Sequence, residues 1–449
     1  MLLRFNVSNF MSISEEQELS MYCGNVGGFE ERIVSTDDIN VLKFCALYGA
    51  NASGKSNFIK AIDFAKNIVI KGVANLNCED KCCKIENNNS DFISKFEFEI
   101  KIKDSIFAYG FLVDLYSSKI EGEWLYNISK IKEDMIFERN LVLKTFKHNI
   151  RFSNEGNKNR FDIYAEDSLN MNKDLLVSDI NRKNICDSDF NIFKEIYNWF
   201  YSQLVIIYPN TGSSSFSVSY CNDNAKIVKL LNYFDTGITG FTMKEVSIDE
   251  LSRYVKKSEI IKLIKVLKND NEMNKNEGII ISNNNLFRFK YNSNSFKVSK
   301  VLFKHGDKCS KLFEFADESD GTKRLIDLLE VISNYNNDKV FIIDELDRNF
   351  HPVMTKKFVD TFFKATENTN TQLIISTHEA SIMDLDFLRK DEIWFAERAN
   401  DFTTKIYSLD EFKIRDKNVI YKDYLEGRYG AIPLFKKYDS YIGEYNEGN

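Results

Sequence analysis

The chain has 449 residues, 43% of them hydrophobic and 28% charged, with a formal net charge of −7 at pH 7. That length exceeds one compact core, so two or three substructures are expected, and the acidic balance gives no global reason to bind nucleic acid. No stretch approaches the roughly 18 uncharged apolar residues of a membrane helix, and the N-terminus lacks a signal peptide's apolar core, so a cytoplasmic, membrane-free protein is expected.

Leu3 to Phe10 alternate as a strand that ends in a turn. An apolar run (Val41, Leu42 and Phe44 to Tyr48) then leads into Gly49-Ala50-Asn51-Ala52-Ser53-Gly54-Lys55-Ser56, and Phe58, Ile59, Ala61, Ile62 and Ala65 follow at helical spacing. Strand, glycine loop and helix in that order make a phosphate loop. Its backbone N–H groups and the positive end of the helix hold phosphates. Lys55 reaches the β- and γ-phosphates and Ser56 ligates Mg²⁺, so the chain is expected to bind a nucleoside triphosphate.

The eight cysteines suggest no disulfide framework. Cys78, Cys82 and Cys83 cluster, but no second half of a zinc site accompanies them, so exposed loop thiols are expected. Residues 92 to 114 alternate as a hairpin, strand pattern continues to about 165, and the period turns helical from about 168 to 203. Asn87 to Asn89 and Asn283 to Asn285 mark loops. A helix is expected from 248 to 269, its lysines (Lys257, Lys262, Lys265, Lys268) reading as a solvated face before a nucleic-acid stripe. Strands are expected at 278 to 282 and 286 to 290; neither a long heptad run nor an internal repeat occurs.

Farther on, Ser319 stands near the N-cap of a helix carrying Leu325, Leu328, Leu329 and Ile332, whose free N–H groups could accept an anion. Val340 to Ile343 run into Asp344 and Glu345, which describes a buried parallel strand with acids at its ligand-facing end. Asp344 suits a Mg²⁺ carboxylate and Glu345 the base that polarises the attacking water. A further strand, Gln372 to Ser376, ends in Thr377-His378, where the imidazole suits a γ-phosphate sensor; the plain alternative is a structural histidine.

In this order the motifs resemble the ABC-type ATPase heads of the SMC, RecF and OLD group, with Asn9-Phe10 like its N-terminal signature and Leu346-Asp347 like its D-loop. Tyr48 to Asn57, Phe234 to Ile238, His351-Pro352 and Arg428 to Pro433 are similar to one bacterial subgroup, the AbiL/RloA-like ATPases that include AriA of the PARIS system. The resemblance implies an α/β ABC-type P-loop ATPase head with an antiparallel β part and a helix-rich insertion: an N-terminal lobe over 1–165, the insertion over 166–300 and a C-terminal lobe over 301–449. It implies nucleotide contacts from Gly49, Asn51, Ala52, Ser53, Gly54, Lys55, Ser56 and Asn57, and from Ser319, Gly321 and Asp347 across a head dimer or higher homo-oligomer. Lys55, Glu345 and His378 would act in catalysis, and Ser56 and Asp344 on the metal.

Such proteins sit beside an effector, often a nuclease, in defence operons, so a switch controlling that partner is the expected function, with nucleic acid a further candidate ligand. About 70 residues follow His378, too few for an appended Toprim nuclease. A DNA-repair ATPase of RecF/SMC type and an ATP-bound scaffold with incidental turnover are the rivals. The glutamines are Gln17, Gln203 and Gln372, of which Gln203 is the candidate for the family's Q-loop.

Overall fold

A computed structural model describes residues 1–36, 39–85, 92–129, 133–185, 187–209, 224–256, 260–261, 277–282, 284–292, 295–306, 311–333, 338–414 and 420–433. Two compact units appear: Met1–Ser202 with Ser376–Asn449, and Gln203–Ile375. They divide the chain by compactness, whereas the three-part division expected above follows motifs.

The first unit opens with β1 (Leu2–Ser8), β2 (Gln17–Ser20), β3 (Ile33–Ser35), β4 (Asn40–Leu42) and β5 (Phe44–Tyr48), followed by α1 (Lys55–Lys71). Next come β6 (Ile93–Ile102), β7 (Ser105–Asp114), β8 (Lys119–Asn127), β9 (Asp134–Asn140) and β10 (Thr145–His148). These build a seven-stranded sheet in the order β10-β9-β8-β7-β6-β1-β2, antiparallel throughout. The 92–114 hairpin is as expected, and every second residue of β6 is buried, as one covered face requires. Helices α2 (Glu155–Ser168), α3 (Leu176–Arg182) and α4 (Asn191–Asn198) follow, and one π-helical turn spans Trp199–Gln203.

The strand pattern expected as far as 165 instead ends at His148. Asn154 accepts a hydrogen bond from the Asn157 N–H at 2.9 Å and caps α2, whose Phe161, Ala165 and Ser168 recur at helical spacing on a buried side. The helical reading of 168–203 holds only in α3, α4 and the π-helical turn; residues 169–175 and 183–185 are not helical, and Ser188–Phe190 form a 3₁₀ turn.

The second unit contains β11 (Leu204–Ile207), α5 (Asn224–Tyr233), β12 (Ile238–Val246), α6 (Ile248–Leu251), β13 (Glu277–Ser282), β14 (Asn285–Asn292), β15 (Ser295–His305), α7 (Asp320–Ser333), β16 (Val340–Ile343), α8 (Pro352–Thr366) and β17 (Gln372–Thr377), the last crossing into the first unit. Strands β11, β16 and β17 run parallel, and all four residues of β16 are buried, as their continuous apolar run requires. The strands expected at 278–282 and 286–290 are β13 and β14. They belong to a four-stranded antiparallel sheet, β12-β15-β14-β13, so the middle of the chain carries a sheet as well as helices. Of the helix expected at 248–269, α6 is described. Lys257, Lys262, Lys265 and Lys268 lie outside the described residues, as do Asn87 to Asn89 and Asn283.

Returning to the first unit, β18 (Ile393–Arg398) pairs parallel with β5 and antiparallel with β19 (Thr404–Ser408), and α9 (Ile420–Leu425) follows. Among the described residues no helix is long and apolar enough to cross a membrane.

Candidate functional site

In the first unit β5, buried at all five positions, delivers the chain into the phosphate loop. Gly49 allows a close approach: a Cβ there would strike the Ala396 carbonyl oxygen and lie 2.6 Å from Ser53 Oγ. Gly54 has φ 102°, and its Cβ would collide with the Thr404 side chain. Lys55 opens α1, and its Nζ donates to the Gly49 and Ala50 carbonyl oxygens at 2.7 and 3.0 Å. The ammonium thus lies over the loop that would cradle phosphate. Ser53 Oγ is buried with no hydrogen-bond partner, and the first turn of a helix leaves N–H groups without intrahelical acceptors. An ammonium, a hydroxyl and a helix N-terminus in one loop suit an anionic, metal-bridged phosphate chain.

A brace that sequence reading missed holds this loop. Thr404 Oγ1 donates to the Ser53 carbonyl oxygen at 3.1 Å and lies 2.7 Å from Ser12 Oγ. The Asn57 amide donates to Ser12 Oγ at 2.8 Å, and the Thr404 N–H to the Ser12 carbonyl oxygen at 2.7 Å. Asn57, expected at the nucleotide, spends its amide on this brace. Neither Ser12 nor Thr404 carries a motif signal.

Behind the loop, Tyr48 packs against Phe395 and Tyr424, with ring centroids 6.4 and 6.1 Å apart. Tyr429 stacks on Phe395 at 6.1 Å, and its carbonyl oxygen accepts from Tyr407 Oη at 2.8 Å. The Arg428–Pro433 segment therefore packs through Tyr429 on β18 and β19, and β18 pairs with the strand that carries the phosphate loop. His378 is exposed where buried β17 ends, in a turn closed by the Glu379 N–H donating to Thr377 Oγ1 at 3.0 Å.

In the second unit Ser319 caps α7, its Oγ accepting from the Thr322 N–H at 3.1 Å. A Cβ on Gly321 would approach the Asn349 carbonyl oxygen to 2.9 Å, so the helix start packs on the segment after Asp347. Asp344 follows β16, and its N–H donates to the Ile207 carbonyl oxygen at 2.9 Å. Glu345 holds the left-handed φ of 49°, uncommon for a residue with a side chain, and its Oε2 lies 3.5 Å from Arg348 Nη1. Ser319, Gly321, Asp344, Glu345 and Asp347 thus come together in one unit, while Lys55, Ser56 and His378 belong to the other.

Arg324 is a further residue that sequence reading missed. It is 3% exposed and donates through Nη1 to the Tyr208 carbonyl oxygen at 3.2 Å and through Nη2 to those of Asp344 and Glu345 at 3.1 and 3.3 Å. Burial lowers its pKa against the opposing pull of Asp327, whose carboxyl burial pushes up to about 6.

Other expectations are corrected. Gln203 immediately precedes β11, and the parallel register Leu204 to Val340 through Ile207 to Ile343 puts it at the opposite strand end from Asp344. It cannot serve a phosphate site at the C-terminal edge. Gln17 Oε1 accepts from the Ile406 N–H at 2.8 Å, and Gln372 is buried at the start of β17. Cys78 and Cys83 are buried rather than exposed, and burial raises the Cys78 thiol. Among the described residues no group of His, Cys, Asp or Glu could hold a metal ion by itself. His351 caps α8 through Nδ1, which accepts from the Val353 N–H at 3.3 Å, with Pro352 at the first helical position.

Three solved structures are similar across most of the chain. An SMC head bound to the C-winged helix domain of ScpA has TM-score 0.43 and 13% identity, covering 91% of this chain and 98% of that one. The SMC head domain from Thermotoga maritima has TM-score 0.38 and 11% identity, covering 92% and 99%. An Smc head domain with an extended coiled coil, bound to the C-terminal domain of ScpA derived from Pyrococcus furiosus, has TM-score 0.39 and 13% identity, covering 95% and 99%. None of the curated proteins matches. The described elements make an α/β fold with an antiparallel part, and the phosphate loop joins β5 to α1. A family model described as "AAA domain, putative AbiEii toxin, Type IV TA system" matches residues 44–183 and 221–384, which take in the phosphate loop, the Ser319 helix start, the Asp344–Glu345 strand and His378. With more than half of its length matched, the chain belongs to this AAA-domain family.

Proposed function

We propose that the chain is an ATP-hydrolysing switch in a bacterial anti-phage defence system, controlling a partner effector, a nuclease encoded beside it. The observation that carries the ATPase part is the braced phosphate loop, with Lys55 Nζ held over it by the Gly49 and Ala50 carbonyl oxygens. Ser56 and Asp344 would hold Mg²⁺, which supplies charge neutralisation on the phosphates. Lys55 binds the β- and γ-phosphate oxygens, Glu345 accepts a proton from the attacking water and aims it in line, and His378 donates to the γ-phosphate. Ser319, Gly321 and Asp347 would meet the nucleotide of a second copy, so that ATP closes two heads and hydrolysis parts them. The family's description as a toxin of a toxin–antitoxin system supports a gene pair and a toxic output.

The test is expression with the neighbouring gene, phage plating and ATP turnover, for wild type, Lys55→Ala and Glu345→Gln. Loss of turnover and of protection in both variants is expected. Protection that survives both sinks the switch. Protection lost only with Lys55→Ala favours a scaffold, and turnover that rises strongly with DNA favours a repair ATPase.

A further inference from the structure

We propose that Arg324 is a positioning residue that transmits the state of the Ser319–Gly321 helix start to the Asp344–Glu345 pair. This deepens the ATPase reading and rests on it.

Withdrawing a guanidinium from water is costly even after relaxation, and a leucine would fill the same space without that cost. At Arg324 the charge is spent on three backbone carbonyl oxygens, those of Tyr208 after β11 and of Asp344 and Glu345 after β16. A planar fork of donors is the side chain that can hold several carbonyls in fixed directions at once. The peptide units so held are those around Glu345, whose φ of 49° is sustained from below by Arg324 and by the Arg348 N–H on the Glu345 carbonyl oxygen at 3.2 Å. Left-handed backbone at such a residue is unfavourable and persists only where its surroundings impose it.

Arg324 stands five positions after Ser319 on one rigid helix, and Gly321 on the same helix bears on the Asn349 carbonyl oxygen. The helix start therefore grips both ends of the segment from Asp344 to Asn349. A ligand that draws on Ser319 and Gly321 moves the guanidinium with them, and with it the peptide that aims the Glu345 carboxylate.

The experiment compares wild type, Arg324→Met, Arg324→Lys, Ser319→Ala and the double Ser319→Ala/Arg324→Met, with Lys55→Ala as blank. It reads ATP turnover, the affinity for N-methylanthraniloyl-ATP and hydrogen exchange of the 344–350 segment. Arg324→Met is expected to lower kcat about 10-fold or more with affinity within about 3-fold, and to speed exchange in 344–350 while the other described strands keep theirs. Arg324→Lys, which retains the charge but not the fork, should fall between, and the double variant should lose no more than the worse single one. Unchanged kcat and exchange in Arg324→Lys and Arg324→Met overturn the proposal, as do additive losses in the double variant. Should Arg324→Met not fold, Arg324→Lys alone decides by the same readings. If wild type shows no Lys55-dependent turnover, the ATPase reading fails, while exchange in 344–350 still decides for or against Arg324.

Discussion

Gly54 shows how closely the phosphate loop is built. Its φ of 102° and the Thr404 side chain in the place of a Cβ exclude any side chain on two separate grounds. Gly54→Ala should abolish nucleotide binding. Adding Thr404→Gly should restore only part of it, because the left-handed backbone still costs about 1–2 kcal/mol; titration with N-methylanthraniloyl-ATP checks both. Glu392 is fully buried, and burial raises its carboxyl to about 8 from an ordinary 4.5, against the opposing pull of the Arg389 N–H and Arg32. The folded chain therefore keeps a proton that the unfolded chain releases. Its contribution to stability is complete below pH 4.5 and is lost as pH rises through about 8, at no more than about 1.4 kcal/mol per unit. Glu392→Gln should flatten the fall in urea midpoint between pH 6 and 8.5; equal slopes in variant and wild type would contradict this.

The elements of the first unit are tied by a buried charge pair that no motif announces. Glu123 on β8 and Arg139 on β9 are both fully buried, with Arg139 Nη2 2.7 Å from Glu123 Oε2. Glu123 also accepts from Tyr109 Oη at 2.9 Å and from the Leu176 N–H at 2.7 Å, while Arg139 donates to the Ser168 and Asp174 carbonyl oxygens at 2.9 and 2.8 Å. The pair thus joins the sheet to the loop before α3 and to its first turn. Breaking it from one side leaves a buried, unpaired charge. Arg139→Met should cost about 3–5 kcal/mol, and Glu123→Leu in the same chain should recover part of that in urea unfolding. At this scale sequence reading was good where one period ruled: the β6–β7 hairpin, β16 and β17 follow from their residues. It failed over 149–165, read as continuing strand, where the decisive signal was a single cap at Asn154. It failed again at Arg324, since the spacing of a buried arginine on a helix says nothing of the carbonyls it will meet.

Across the whole molecule, the motifs were legible because phosphate chemistry imposes local residue order, as in Gly49 to Ser56. The braces were not, because Ser12 and Thr404 meet the loop across nearly the full sequence. The net charge of −7 leads to a whole-chain prediction: duplex DNA at physiological salt should change ATP turnover less than about 2-fold, and a strong, salt-sensitive rise would contradict it. The parallel pairing of β5 with β18 brings a consequence for synthesis. Unit one is interrupted from 203 to 375, so the strand that bears the phosphate loop must wait for Ile393–Arg398, and the loop's brace for Thr404, to leave the ribosome. Competence for nucleotide then arrives late and all at once: a nascent or truncated chain ending before 404 is expected to bind none.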